Sequence, residues 1–258
     1  MTPATDTFKQ RLARNELIAG SMVFEFFTPG IAQLACVAGA DFILYDMEHS
    51  GADIETMKEQ FAYCRGLPIT PLVRVPVGEY HFIARVLDAG AHGVMVPMVE
   101  SVEQAKHIVA CTQYPPIGRR GAAFGAAHDD YMAGTPIDKI ARARARTTVI
   151  ALIETPGGVA NAEAIAALPG IDVLWVGHFD LTNFMGIPGQ FEHPDYLAAI
   201  DRVLSAARKH NKIAGFMALD EAWAARYHAL GFRLFAYGLD MQVFQNALAR
   251  GLAHMRGL

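Results

Sequence analysis

FILYDMEH, residues 42–49, is an apolar run without alternation that ends in a cluster of ionisable side chains. A run apolar at every position suits a strand buried on both faces, and such strands belong to parallel sheets covered by helices. VLWVGHFD, residues 173–180, has the same form: four apolar residues and a glycine, then His178, Phe179 and Asp180. Strands are therefore expected at 42–46 and 172–176. Working outward, β-rich runs recur at 20–24, 71–75, 93–97, 148–154, 213–217 and 234–237.

Between them lie amphipathic stretches with recognisable ends. Ile31, Leu34, Ala35 and Ala38 make one stripe at helical spacing, and Ile54, Met57, Phe61 and Cys64 make another. Ser101 with Gln104 forms a capping box, Gly90 and Gly231 stand where helices terminate, and Asp220 and Asp240 are placed to N-cap the last two helices. Eight strands, each followed by a helix, predict class α/β and a single (β/α)8 TIM barrel over residues 1–258. A doubly wound sheet is the rival. It is disfavoured because EFFTPG, not a glycine-rich dinucleotide turn, follows the first strand. The segment 114–147, opening YPPIGRRG, reads as a long irregular excursion.

Composition agrees with a large buried core: 52% of the 258 residues are hydrophobic, which excludes disorder as the main state. The net charge of −4 is scattered and offers no basic stripe for nucleic acid or an anionic membrane. Cys36, Cys64 and Cys111 form no CxxC pair and fit reduced thiols. With no signal-like or membrane-spanning apolar run, a soluble cytoplasmic protein is expected.

In a barrel of this kind, chemistry collects where the strands end at their C-termini. The second strand ends in Asp46, Glu48 and His49, the third carries Arg74, the fifth ends in Glu154, and the sixth runs out to Asp180. Charges at the ends of apolar strands are costly unless they face a polar mouth or a partner. Glu154 and Asp180 could hold one hard divalent cation, Mg2+ or Mn2+, since no His or Cys ligand lies near in sequence. The same two could cap helices, pair with arginines, or act as a glycosidase acid and base. Arg74 could stabilise an oxyanion or simply pair with an acid. His49, beside Glu48 and near Asp46, is a candidate general base or an ordinary hydrogen-bonding histidine. The six lysines (Lys9, Lys58, Lys106, Lys139, Lys209 and Lys212) avoid the expected strand ends, which argues against Schiff-base chemistry. No GxSxG elbow or P-loop occurs.

The strings YDMEHSG, PLVRVP, LDAGAHGVMVPMV, YPPIGRRG and IETPGG, with the DLT run and its later HP pair, occur in order from about residue 20 to the C-terminus. As a set the sequence resembles the HpcH/HpaI-type class II pyruvate aldolases. The resemblance implies a divalent-metal-dependent barrel that reversibly cleaves 4-hydroxy-2-oxo acids to pyruvate and an aldehyde through a metal-stabilised pyruvate enolate. It implies that Glu154 and Asp180 bind the metal, Mg2+ or Mn2+ with Co2+ as a further option. Arg74 then binds pyruvate and the enolate oxygen, and His49 serves as base beside Asp46. The backbone amides of Gly177, His178 and Phe179 would hold the substrate carboxylate. Asp88 would assist the histidine, from a neighbouring subunit in some members. A homotrimer or homohexamer with an exchanged C-terminal helix is implied, and so are small-molecule 2-oxo acid and aldehyde partners.

Two positions depart from the family pattern. His178 stands where many relatives have proline, and Leu152 where several have a glutamine near the metal waters. Arg119 is a further candidate for a distal carboxylate, or an exposed arginine. The competing readings are a carbon–carbon lyase acting on an acyl-CoA thioester and a non-catalytic oxo-acid-binding barrel.

Overall fold

Residues 7–258 are described by the computed structural model, and all eight expected strands occur within a few residues of their sequence-derived bounds. Strands β1 (Ile18–Val23), β2 (Phe42–Asp46), β3 (Thr70–Arg74), β4 (Gly93–Val96), β5 (Thr148–Ile153), β6 (Val173–Val176), β7 (Ile213–Ala218) and β8 (Leu234–Leu239) close into a barrel in chain order. Every pairing is parallel. Helix α1 (Phe8–Ala13) precedes the barrel. Around it run α2 (Ile31–Val37), α3 (Ile54–Cys64), α4 (Tyr80–Ala89), α5 (Val102–Thr112), α6 (Pro136–Arg146), α7 (Pro156–Ala166), α8 (His178–Phe184), α9 (Pro194–Lys209), α10 (Glu221–Leu230) and α11 (Asp240–Arg256).

Because side chains alternate along a strand, each strand feeds two cores. Outward residues such as Ile43, Tyr45, Val73 and Val94 meet the helices, while Phe42, Leu44, Leu72, Ile150 and Val173 fill the barrel. Phe8 and Leu12 of α1 close its N-terminal end, the Phe8 ring meeting Phe42 edge-on at 5.9 Å. The upper layer is Met22, Met95, Leu152 and Trp175, which floors the open end. Trp175 fits only because residue 215 is glycine: a β-carbon there would stand 2.3 Å from the indole.

The predicted punctuation is largely present. Ser101 and Gln104 form the capping box, Asp220 accepts from the Trp223 amide at 2.8 Å, and Gly90 and Gly231 end α4 and α10 at φ near 120°. The three cysteines are free thiols. Two expectations need correction. Asp240 is not the N-cap of α11. Its carboxylate instead accepts the amides of Phe24, Glu25 and Phe26 at 3.1, 3.0 and 2.7 Å, tying the β1–α2 loop to the last helix. The segment 114–147 is not irregular throughout. It contains a short 3-10 turn, Ala127–Asp129, and the 11-residue α6, opened by Thr135 and Pro136. Apolar residues are sparse on that basic helix, which hid it from the hydrophobic pattern.

On α2 the stripe is divided: Ile31 and Ala35 are half-buried against the core, and together with Leu34 and Ala38 they line an open apolar groove of about 530 Å³ beside β1 and α11. Leu34 is 66% exposed. Helix α11 is equally unusual: Asp240 is its one buried residue, Val243 and Phe244 line the same groove with Phe244 edge-on to Phe26 at 5.8 Å, and Leu248 and Met255 face outward. Among the described residues, no helix is long and apolar enough to cross a membrane.

Candidate active site

Asp46 and Arg74 end neighbouring strands in direct register. The Arg74 Nε donates to Asp46 Oδ2, and Nη1 pairs with Glu48 Oε2 at 3.0 Å. Asp46 is fully buried and Arg74 nearly so, so the ion pair fixes the guanidinium and neutralises the acid. Arg74 Nη2 is buried without a hydrogen-bond partner among the described residues, leaving one donor uncommitted. The other Asp46 oxygen accepts the His49 amide at 2.6 Å. Asp46 therefore orders the backbone of His49 and the side chain of Arg74 but does not meet the imidazole. That ring is half exposed and stands 3.8 Å from Glu48 Oε2. Phe24 lies over both groups, 5.3 Å from the Arg74 guanidinium carbon and 6.3 Å from the His49 ring.

Across the mouth, Glu154 follows β5 and is 3% exposed. Its Oε1 accepts the amide of Met98, a residue in the left-handed region at φ 54°, at 2.8 Å. Burial, opposed by the Met98 amide and Arg74 and helped by Glu48 and Asp180, pushes the Glu154 carboxyl up to about 8. Burial also raises Glu48. A β-carbon on Gly177 would lie 2.5 Å from Glu154 Oε2, so only glycine lets β6 pass this carboxylate. Asp180 sits in the first turn of α8. Among the described residues no group of three or more His, Cys, Asp and Glu is poised around one point. Glu154 and Asp180 line the same cavity.

The cavity holding these groups has a volume of about 220 Å³ and is lined by Phe24, His49, Arg74, Glu154, Gly177, His178, Phe179 and Asp180 above the Met22, Met95, Leu152 and Trp175 floor. The three residues assigned to carboxylate binding are not equivalent. The Gly177 amide already donates to Ile153 O at 3.1 Å, continuing the β5–β6 ladder, so it is not a free donor. His178 and Phe179 occupy the first two positions of α8, whose amides have no intrahelical acceptor. The His178 side chain packs in an aromatic cluster, stacked 4.9 Å from Phe216 and tilted against Trp223 at 5.3 Å. Burial lowers its pKa to about 4, so the ring is neutral.

Asp88 is not brought to the mouth of its own chain. It lies at the C-terminal end of α4, bonded to Arg120 Nη2 at 2.6 Å. Arg119 is exposed, its guanidinium 5.4 Å from the Tyr80 ring and outside the cavity. Sequence reasoning missed Phe24, the Met98 amide and the Asp240 clamp. Only Phe24, directly after a strand, carried a positional signal.

Comparison with known proteins identifies the family and agrees with the fold. The family model described as HpcH/HpaI aldolase/citrate lyase matches residues 21–247. The chain is 34% identical over 256 residues to a hydroxypyruvate/pyruvate aldolase of Roseovarius nubinhibens, covering 99% of each. It is 37% identical over 240 residues to a 5-keto-4-deoxy-D-glucarate aldolase of Shigella dysenteriae, covering 93% of each. The crystal structure of an HpcH/HpaI aldolase from Desulfitobacterium hafniense superposes with a TM-score of 0.92 at 26% identity, covering 98% of this chain and 97% of that one.

Proposed function

The chain belongs to the HpcH/HpaI aldolase/citrate lyase family, and from that premise we propose a divalent-metal-dependent pyruvate aldolase that reversibly cleaves 4-hydroxy-2-oxo acids to pyruvate and an aldehyde. The observation that carries the reading is the presence in one cavity of a buried carboxylate, Glu154, and an uncommitted guanidinium donor on Arg74. Glu154, with its carboxyl raised by burial and by other acids, fits a cation-binding role, and Asp180 supplies the second hard ligand. The all-oxygen set favours Mg2+ or Mn2+, with Co2+ a further candidate. When bound, the ion supplies Lewis acidity toward a 2-oxo acid.

The protein's own groups do the rest. The amides of His178 and Phe179 receive the substrate carboxylate. Arg74, held rigid by Asp46, places Nη2 against the oxygen on which enolate charge develops. His49 takes the proton from the 4-hydroxyl as the C3–C4 bond breaks, with Glu48 3.8 Å away to stabilise the imidazolium. Pyruvate enolate then takes a proton at C3 and leaves with the aldehyde. Phe24 and the apolar floor, Leu152 included, supply the apolar part of the cavity wall.

We further place Asp88 in the site of a neighbouring subunit of a homotrimer or homohexamer, with α11 exchanged between copies. Two features support exchange: α11 presents Leu248 and Met255 outward, and an apolar groove lies open beside β1. Three free thiols suit a cytoplasmic location. The test is pyruvate release from 4-hydroxy-2-oxo acids, with and without EDTA, by the wild type and Arg74→Ala. EDTA should abolish release, and Arg74→Ala should lower kcat by about 10²–10³-fold. Release that persists in EDTA would sink the metal-dependent reading.

A further inference from the structure

We propose that Asp240 is a positioning residue for the reaction: its carboxylate sets Phe24 against His49 and Arg74, and through that ring it governs bond cleavage but not metal binding. The inference rests on the aldolase reading and adds to it a residue that lies outside the cavity.

Asp240 stands one residue beyond β8 and Phe24 one beyond β1, its neighbour in the sheet. Past the strand end, the amides of residues 24–26 turn together onto one side chain. Asp240 Oδ1 accepts the Phe24 amide at 3.1 Å, and Oδ2 accepts those of Glu25 and Phe26 at 3.0 and 2.7 Å. Successive N–H groups that converge make a cradle for an anion, and here the chain supplies the anion itself. Bonds to an ionised acceptor are stronger than neutral ones, and this acceptor is buried. The Phe26 ring adds an apolar tie, edge-on to Phe244 at 5.8 Å, but that contact holds a side chain two residues further on. The direction in which Phe24 leaves the backbone is set by the carboxylate. Asp240 lines the outer groove and Phe24 the cavity, so the acid acts on the site through the ring.

His49 is the group most dependent on that ring. Its imidazole is half exposed and stands 3.8 Å from Glu48 Oε2, beyond hydrogen-bond distance, so within its own chain its orientation rests on packing. Phe24 lies 6.3 Å from the imidazole and 5.3 Å from the Arg74 guanidinium carbon. In the cleavage step the 4-hydroxyl proton passes to His49 and the O–H pair closes the aldehyde. The C3–C4 pair becomes the enolate double bond, and negative charge settles on the 2-oxygen facing Arg74. Both partners of Phe24 act in that one step, where a displacement of about 1 Å can cost about 10²-fold. Glu154 follows β5, which lies opposite β1 in the closed ring, so metal binding is remote from the Asp240 contact.

The test is a double-mutant cycle on the Mn2+-loaded full-length protein, with Asp240→Asn, Phe24→Ala and the pair, assayed by pyruvate release from a 4-hydroxy-2-oxo acid. Each single change should lower kcat by about 10–100-fold, and Mn2+ affinity from calorimetric titration should stay within about threefold of wild type. The pair should be no more than about twofold slower than Phe24→Ala, because both changes act through one ring. Asp240→Glu, which keeps the charge and moves it by one methylene, should give a smaller loss, and it takes the place of Asp240→Asn in the cycle if the neutral variant does not fold. Variants that lose thermal stability but keep kcat would make Asp240 a structural tie and overturn the proposal. Losses that multiply in the pair, or an unchanged kcat in Phe24→Ala, overturn it as well, and each leaves the aldolase reading standing. A wild type that neither releases pyruvate nor exchanges the pyruvate C3 protons with D2O overturns the aldolase reading and this proposal with it.

Discussion

Replacing Glu154 by glutamine should make the metal-free protein more stable while removing its response to metal. The folded-state carboxyl stands at about 8 against an ordinary 4.5, so the fold favours its protonated form. Its contribution to stability is complete below about pH 4.5 and is lost as pH rises toward about 8. At pH 7 this one group costs the metal-free fold about 3 kcal/mol relative to acid, and once fully ionised about 5 kcal/mol. Glutamine has the same shape, keeps an oxygen for the Met98 amide and carries no charge. For a chain of this size the pH 7 difference corresponds to a rise of about 6–12 °C in Tm. The assay is differential scanning calorimetry of wild type and Glu154→Gln after chelation, from pH 4.5 to 8.5. The gap should open with pH and close again in the wild type's favour when Mn2+ is added. Calorimetric titration should also show wild type releasing about one proton per ion at pH 6, with affinity rising about tenfold per pH unit. A gap that stays flat across this range, or a destabilised Glu154→Gln, would refute the argument that Glu154 is a buried acid awaiting a cation.

Two further outcomes follow from the same geometry. Gly177→Ala places a methyl 2.5 Å from Glu154 Oε2 and should cut Mn2+ affinity about 10–100-fold, read by calorimetric titration, with the circular dichroism of the barrel retained. Phe244→Glu puts a charge on the groove face of α11 and should lower the molar mass measured by light scattering, while an unchanged mass would remove α11 from the subunit contact.

The barrel was legible because its strands are apolar throughout, so that residues such as Asp46, Arg74 and Glu154 stood out as interruptions at strand ends. What sequence periodicity could not convey was which contacts those interruptions make. Asp46 sits three positions from His49, close enough in sequence to suggest contact with its ring, yet both its oxygens are taken by the His49 backbone and Arg74. Gly177 was read as an anion donor, although the β5–β6 ladder already takes its amide and its missing β-carbon is what the site needs. The Ile31, Leu34, Ala35 and Ala38 stripe was correctly apolar and correctly helical, but apolarity alone does not say whether a face turns to its own core or to an open groove. Helix α6 shows the converse failure: a basic helix held by Thr135 and Lys139 carries too few apolar residues to announce itself.

The Asp240 clamp also bears on the order in which the protein is built. Its carboxylate receives amides lying 216, 215 and 214 positions earlier, so a chain emerging from the ribosome makes the loop that carries Phe24 almost first and secures it almost last. Such distant contacts form late because the intervening chain must first be ordered. Until β8 arrives and Asp240 with it, the barrel has neither its closing seam nor a fixed wall over Arg74 and His49. Closure of the fold and completion of the catalytic mouth are therefore a single event, and a nascent chain stopped short of residue 240 carries the reactive groups without the roof that shelters them.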